Sequence, residues 1–270
     1  MPLSCRLSEH MFEDIIVFEN RNNSNKLHDL ENGKPAVLAF YLKTLNRCYY
    51  MHYRDDLIHS DPTSSIPTVA YYYLNGNYER MYFYDSGLIH SHPIQGPSFF
   101  EFNENRDIIG TTYYYYGKIH NEINPARIYY DNDGNRISVE YMINGKYDRF
   151  NKPAYITYHP NGNINTEIYY INGKEHRDNH KPSTIVYDEE GRKKYEYYCV
   201  NDHMSNYNGD SYGPIYIEYA PDGSIVRQCI DDGQVLEFDD DEDHEDHDYH
   251  EEDDYEHSEV DLEFEFILQN

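Results

Sequence analysis

Four histidines near the C-terminal end stand among carboxylates, a combination that could bind metal ions. They are His244, His247, His250 and His257. Imidazole and carboxylate ligands together can bind Ca²⁺, Mn²⁺, Zn²⁺ or Ni²⁺. The spacing is not the HExxH of zinc proteases, because His244 and His247 lie one residue too close together. Two interpretations stay open: a weak, unselective cation site, and a solvated charge run that keeps the protein in solution.

Three other histidines, His90, His120 and His176, each follow a glycine by three residues. A stack of imidazoles could bind a metal ion or respond to pH. The alternative is structural, in which these side chains satisfy turn carbonyls and contact tyrosines across the strands. We favour the structural alternative, because a repeated column would separate the rings by a whole repeat.

The composition excludes several classes of function. The chain has 270 residues, with 50 Asp and Glu against 22 Lys and Arg, and a formal net charge of −28. Proteins that bind DNA or RNA need a basic surface, so no nucleic-acid partner is expected. The charge also disfavours docking on anionic membranes, and no apolar run approaches the roughly 18–20 residues of a membrane span. With 32 Tyr and 16% aromatic residues, most of the chain is expected to fold.

The negative charge is concentrated at the C-terminal end. Between Glu237 and Glu265 there are 18 acidic residues and no Lys or Arg, which leaves a net charge of −10 for residues 1–236. Residues 237–270 are therefore predicted to form a disordered acidic tail, because the carboxylates repel one another. Within the tail, residues 260–266 alternate apolar and acidic side chains, which predicts a short terminal strand.

A repeat of about thirty residues decides the fold. Its prolines begin seven copies, which we number 1 to 7: Pro35, Pro67, Pro97, Pro125, Pro153, Pro182 and Pro214. We number positions from the proline, so that position 1 is the residue directly after it. Position 3 is apolar, position 5 is aromatic and position 9 is glycine in five copies. Position 16 is apolar or aromatic, from Met51 in copy 1 to Ile230 in copy 7. Residues 27–236 are predicted to form the repeat array, after a lead-in or cap over residues 1–26.

Each copy has the pattern strand, turn, strand and second turn. In copy 5, Ile156 and Tyr158 alternate along a short strand that ends at the turn Asn161-Gly162. Residues 164–171 make the return strand, and Asn172-Gly173 turns the chain again. Asn-Gly steps favour tight hairpins, because both residues accept positive φ. The turn glycines assigned in this way are Gly76, Gly87, Gly117, Gly134, Gly145, Gly162, Gly173, Gly191 and Gly223. We expect an all-β protein, an elongated antiparallel sheet of about seven stacked β-hairpins of 28–32 residues.

Tyrosines at the repeated positions are candidates for a binding surface, since tyrosine is enriched at binding hot spots. The candidates are Tyr130, Tyr158, Tyr169, Tyr187 and Tyr219.

The sequence does not indicate an active site. Glu140, Glu167 and Glu196 recur near the middle of the return strand, as a cross-strand pairing position does. Catalysis needs a constellation that does not repeat, and no nucleophile motif, phosphate loop or triad spacing is present. Cys199 and Cys229, 30 residues apart, are candidate neighbours in adjacent copies, and free thiols are expected rather than a disulfide. We expect no enzymatic activity and no cofactor.

Two segments of copy 5 resemble a known repeat family. Residues 169–177 read YYINGKEHR, and residues 152–162 read KPAYITYHPNG. Both are similar to MORN-type repeats, in which glycine-punctuated hairpins stack into an extended sheet, and in particular to the MORN-variant repeats of bacterial YwqK-like proteins and of giant DNA viruses. The resemblance spans about residues 27–236 and implies the stacked-hairpin fold. The Tyr- and Asn-rich usage suits an AT-rich genome, as expected for a giant virus.

These features predict a scaffold that binds another protein through a tyrosine-rich sheet surface, as a viral or virion-associated protein. The alternative is a decoy or antitoxin-like neutraliser whose acidic tail occupies a basic protein. In the scaffold hypothesis the tail would steer basic partners towards the sheet. The first residues lack the apolar segment of a secretory signal, so an intracellular location, in the host cytoplasm or the virion, is expected.

Overall fold

The computed structural model describes residues 4–5, 15–30, 33–59, 65–91, 96–177, 180–206, 213–230 and 235–237. Over these ranges every regular element is a β-strand, and there is no helix that could cross a membrane. The chain divides after Phe238 into Met1–Phe238 and Asp239–Asn270. The acidic tail beyond Glu237, the predicted strand over 260–266 and the four tail histidines lie outside the described residues.

Within the described residues, one antiparallel sheet of 17 strands contains all seven copies, and its strands pair in chain order. Its strands are Ser4–Cys5, Ile15–Glu19, Val37–Tyr41, Arg47–Met51, Val69–Tyr72, Tyr78–Tyr82, Phe99–Phe102, Ile108–Thr112, Arg127–Tyr130, Arg136–Glu140, Tyr155–Tyr158, Ile164–Ile168, Thr184–Tyr187, Lys193–Tyr197, Pro214–Tyr219, Ile225–Ile230 and Val235–Glu237. The predicted all-β class and antiparallel sheet of hairpins are confirmed. Ile15–Glu19 pairs with Val37–Tyr41 over five residues, so part of the segment predicted as a lead-in belongs to the sheet.

In the part of the chain that the structure describes, copies 1 to 6 each add a small two-stranded sheet, which we call a ribbon. The six ribbons are Tyr53–Arg54 with Leu57–Ile58, Tyr84–Asp85 with Leu88–Ile89, Tyr114–Tyr115 with Lys118–Ile119, Met142–Ile143 with Lys146–Tyr147, Tyr170–Ile171 with Lys174–Glu175, and Cys199–Val200 with His203–Met204. Neighbouring ribbons are joined by backbone hydrogen bonds: the amide of Gly145 donates to the carbonyl of Ile119 at 2.8 Å, and Gly173 donates to Tyr147 at 2.8 Å.

The predicted single return strand over residues 164–171 is wrong, because this segment forms two separate strands. Ile164–Ile168 belongs to the main sheet, and Tyr170–Ile171 belongs to a ribbon. The division falls at Tyr169, whose amide donates to the carbonyl of Ser183 in the next copy at 2.8 Å. Because this hydrogen bond joins Tyr169 to the residue before the next strand, the backbone leaves the main ladder there and starts the ribbon.

In copies 1 to 6 the two turns differ in type. In the first turn of copy 5 only Gly162 has positive φ, at 88°, and the strand register shifts by one residue beside Tyr158. These are the features of a three-residue loop closed by a glycine bulge. The prediction that both residues of Asn161-Gly162 have positive φ is therefore wrong. In the second turn Asn172 and Gly173 both have positive φ, at 53° and 84°, as a two-residue type I′ turn requires. All nine assigned turn glycines have positive φ.

Copies 1 and 3 make the first turn without glycine. Leu45 and Arg106 take its place, with φ of 56° and 79°. Copy 1 also has one extra residue in this loop, since Phe40 pairs with Arg47 where Tyr72 pairs with Tyr78 in copy 2. The residue equivalent to position 16 is therefore His52, whose amide donates to Thr68, and not Met51 as the spacing predicted.

The residue directly after the proline is small and buried in copies 1 to 6. These residues are Ala36, Thr68, Ser98, Ala126, Ala154 and Ser183, each between 0% and 1% exposed. In copy 5 the amide of Ala154 donates to Ile168, and its carbonyl accepts from Tyr141 of the copy before. Because backbone from two copies meets at this residue, a large side chain would have no room. This column was not among the sequence predictions, although a small residue follows the proline in six copies.

Replacing Leu45 with glycine is expected to stabilise the protein by roughly 0.5–1 kcal/mol. The left-handed conformation costs a side-chain-bearing residue about 1–2 kcal/mol, more than the roughly 0.5–1 kcal/mol that glycine loses in chain entropy. The free energy of unfolding in urea measures the change. Leu42→Gly, at an exposed residue of the same loop with ordinary φ, is the control and should destabilise.

Ala154→Leu is expected to lower the free energy of unfolding by about 1–3 kcal/mol, because the added methyl groups overfill a close-packed site. Urea denaturation measures it. Lys152→Leu, two residues earlier at an exposed position, should change stability by less than about 0.5 kcal/mol. Equal effects of the two substitutions would contradict the packing described for Ala154.

Candidate binding surface

The side chains of the main sheet divide between two faces, because successive residues of a strand point in opposite directions. Positions 3 and 5 share one face, which carries Tyr130, Tyr158, Tyr187 and Tyr219 at the ends of equivalent strands. We call this the tyrosine face. All four tyrosines are half-buried, and strand spacing places neighbours about 10 Å apart. They form a regular column along copies 4 to 7.

The fifth candidate, Tyr169, is not part of this column. It follows the return strand, at the start of the ribbon, and is buried. The guanidinium of Arg177 lies 3.6 Å from the centre of its ring and also donates to the carbonyl of Pro182 at 2.9 Å. Tyr141 has the same arrangement in copy 4, with Arg149 at 3.4 Å. Tyr169 therefore holds the ribbon junction and offers little surface to a partner.

The ribbons contact the face opposite the tyrosine face. The Tyr147 ring of one ribbon lies 5.9 Å from the ring of Tyr155, at position 2 of the next copy. In the ribbon after it, Glu175 accepts a hydrogen bond of 2.7 Å from Thr184, again at position 2. The tyrosine column therefore lies on the side of the sheet away from these ribbon contacts.

Carboxylates hold the hydroxyl groups of two column tyrosines. Tyr187 donates to Glu167 at 3.0 Å, and Tyr219 donates to Glu196 at 2.8 Å. Burial raises the pKa of both hydroxyls, and the carboxylates raise it further. These tyrosines therefore stay neutral hydrogen-bond donors with fixed side chains.

Glu196 has the densest set of partners of these carboxylates. It is 4% exposed and accepts hydrogen bonds from Lys193, Tyr198 and Tyr219 at 2.5, 3.0 and 2.8 Å. Burial opposes ionisation of Glu196, but the hydrogen bonds from Lys193 and Tyr219 outweigh it and lower the pKa. The carboxylate is stabilised as an anion beneath the column.

Glu140 lies on the opposite face, which corrects the predicted column of three glutamates. It pairs in register with Arg127 at position 2, whereas Glu167 pairs with Ile156 at position 3. A displacement of one residue reverses the face in a strand. Glu140 is 5% exposed and lies 3.2 Å from both Arg127 and the Tyr147 hydroxyl. Burial raises its pKa, although Arg127 and Tyr147 oppose this.

The histidine column has a structural arrangement. The Nδ1 atom of His120 accepts the turn amide of Asn144 in the next ribbon at 3.1 Å. His90 accepts from Tyr116 at 3.2 Å and His176 from Asn201 at 3.3 Å, and His28, which the sequence did not single out, accepts from Asp55 at 3.3 Å. The partners are turn amides, whereas the sequence predicted turn carbonyls. Over the described ranges no three His, Cys, Asp or Glu side chains form a group that could hold a metal ion.

Cys199 and Cys229, which the sequence made candidate neighbours in adjacent copies, lie in different sheets. Cys199 lies in a ribbon and Cys229 in the main sheet, and both are free thiols, as is Cys48. Burial raises the pKa of Cys199 to about 11, with Glu175 adding to the effect. Its thiol is therefore a poor nucleophile near neutral pH.

The ribbon of copy 3 carries an exposed aromatic pair, Tyr115 and Tyr116, that was not among the predicted binding residues. The run of four tyrosines over residues 113–116 is the sequence signal that marks it.

Comparison with known protein-family models gives no match, and comparison with curated proteins gives no significant match. The similarity to MORN-type repeats stays a prediction.

Glu196→Gln is expected to lower the free energy of unfolding by about 1–3 kcal/mol near pH 7, since hydrogen bonds to a charged group are lost. A lowered folded-state pKa adds stability above the ordinary value of 4.5, and this stability is lost as pH falls through the folded-state pKa. The effect should therefore shrink by about pH 3.5. Urea denaturation at the two pH values measures it.

Glu140→Gln is the matched control, because its pKa is shifted in the other direction. A raised pKa means that ionisation costs the folded state stability as pH rises through it. Near pH 7 Glu140→Gln should leave stability unchanged or raise it. A loss equal to that of Glu196→Gln would contradict the opposite environments of the two carboxyl groups.

Proposed function

We propose that the protein is a non-enzymatic scaffold that binds a protein partner through the tyrosine face. The observation that carries the proposal is the column Tyr130, Tyr158, Tyr187 and Tyr219, which lies on the side of the sheet away from the ribbon contacts. Four aromatic rings at regular intervals on a rigid sheet suit an extended partner surface better than a small molecule.

Preorganisation supports the proposal. Binding costs less side-chain entropy when the side chains are already fixed, and Tyr187 and Tyr219 are held by Glu167 and Glu196. Tyrosine also combines a large ring with a polar group, which suits a surface that is wet before binding and dry afterwards.

The acidic tail favours a second candidate, a polyanion-type decoy or antitoxin-like neutraliser of a basic protein. Of the net charge of −28, 18 negative charges lie between Glu237 and Glu265. Such binding would be electrostatic and lost at moderate salt, because ions screen exposed charges. The intracellular location and the viral source remain predictions that go with either candidate.

The test compares Tyr130, on the tyrosine face, with its sequence neighbour Tyr129, which lies on the opposite face. The full chain, its Tyr130→Thr/Tyr158→Thr variant and its Tyr129→Thr control would be used to capture partners from native cell extract, with identification by mass spectrometry. The scaffold proposal predicts that the double variant weakens retention of the partner about tenfold or more, as loss of a hot spot does. The Tyr129→Thr control should retain it.

Capture at low salt and at about 0.3 M NaCl separates the two candidates. A partner that stays bound at the higher salt and is lost from the Tyr130→Thr/Tyr158→Thr variant supports the scaffold. Basic proteins that leave at the higher salt and bind both variants equally would contradict it and favour the polyanion candidate.

A further inference from the structure

Tyr116 occupies a backbone conformation that disfavours it. It is the first residue of the two-residue turn in the copy 3 ribbon, with φ of 43°. The equivalent residues in the other ribbons are small and polar: Asp55, Ser86, Asn144, Asn172 and Asn201. Left-handed backbone is costly for a bulky residue and is best tolerated by Asn, Asp and Gly. Tyr116 therefore lowers the stability of a turn that asparagine makes readily elsewhere in the chain.

The hydrogen bonds of the turn do not account for this choice. The Tyr116 amide donates to Nδ1 of His90 at 3.2 Å, and the Asn144 amide makes the same bond to His120 at 3.1 Å. Since the bond uses only the backbone of the turn residue, asparagine would form it equally well. Strained residues cluster at functional sites, and unlike the strained Leu45, Tyr116 places its ring beside a second exposed aromatic ring.

The rings of this turn form an exposed aromatic surface. Tyr115 is 53% and Tyr116 is 48% exposed. Their ring centres are 4.8 Å apart with the planes at 74°. Tyr116 lies against the imidazole of His90 at 4.3 Å, and Tyr115 lies 5.5 Å from that of His120. The imidazoles fix the two rings nearly perpendicular to each other at the tip of the ribbon. We call this pair with its two histidines the ribbon aromatic patch.

We propose that the ribbon aromatic patch binds an arginine or lysine side chain from a basic segment of the protein partner. The inference rests on the proposed function and names the chemistry of the partner. A cation is attracted to the face of an aromatic ring. The protein uses this contact internally, with Arg149 over Tyr141 at 3.4 Å and Arg177 over Tyr169 at 3.6 Å.

The surroundings suit a long cationic side chain. The exposed carboxylate of Glu122 lies 3.8 Å from Nε2 of His120, beside the patch. Leu88 is exposed and packs beside Gly117, the second residue of the turn, where it can contact the methylene stem of lysine or arginine. Residues 1–236 carry a net charge of −10, so the field of this part of the chain attracts a basic segment.

The test measures binding of a fluorescein-labelled octa-arginine peptide to the full chain by anisotropy, at about 0.3 M NaCl to screen the exposed charges. Tyr116→Asn replaces the strained tyrosine with the residue found in three other ribbons. Because this substitution relieves strain, it should raise the thermal midpoint, so loss of binding cannot come from unfolding. Phe150→Asn is the control, since Phe150 is an aromatic residue elsewhere and is 85% exposed.

The proposal predicts that Tyr116→Asn weakens binding of the peptide about fivefold or more, while Phe150→Asn binds as the unchanged protein does. Unchanged binding by Tyr116→Asn, or a lower thermal midpoint, would overturn it. If the Tyr130→Thr/Tyr158→Thr variant alone loses the peptide, the tyrosine face is the binding surface and the ribbon aromatic patch is not. If all variants bind equally, neither surface binds the peptide, and both proposals fail for basic partners.

Discussion

In each of copies 1 to 6, one backbone hydrogen bond to the next copy marks the point where the chain leaves the main sheet, and the rest of the structure depends on this bond. The amide of Tyr141 donates to Ala154 at 2.7 Å, and that of Tyr169 donates to Ser183 at 2.8 Å. Each bond joins the end of one copy to the residue after the proline of the next. In copies 2 to 6 that residue is small and buried, because backbone from two copies meets around it, whereas in copy 7 it is the half-buried Ile215. The bond therefore couples neighbouring copies and sets the starting point of every ribbon.

The position of the ribbons decides which aromatic residues remain for binding. Ribbon side chains such as Tyr147 contact one face of the sheet, and the tyrosine column lies on the other. Turn residues at the ribbon tips are not packed against the sheet in this way, so an exposed aromatic residue can be accommodated there. Tyr116 occupies such a tip at the expense of backbone strain. Both proposed surfaces thus follow from a single branching of the chain.

The sequence was sufficient for the class of fold and for the first strand of each copy, but not for the end of the return strand or for the ribbons. Alternation of Ile156 and Tyr158 marked a strand, and the Asn-Gly steps marked turns. Both kinds of turn contain glycine, so the sequence could not tell a glycine bulge from a type I′ turn. No change in the sequence pattern marks the junction at Tyr169, because strand-forming residues continue on both sides of it. The displacement of Glu140 to the other face and the extra residue before His52 each depend on register, which changes with a single residue.

Amide hydrogen exchange followed by NMR on the full chain tests the central claim most directly, namely that the branching bond joins each copy to the next. The account predicts that the amides of Tyr141 and Tyr169 exchange as slowly as those of central strand residues such as Val139. Amides at exposed turn tips, such as Asn132, should exchange quickly. If the Tyr141 and Tyr169 amides exchanged as fast as that of Asn132, the copies would not be joined as described, and the positions of both proposed surfaces would be wrong.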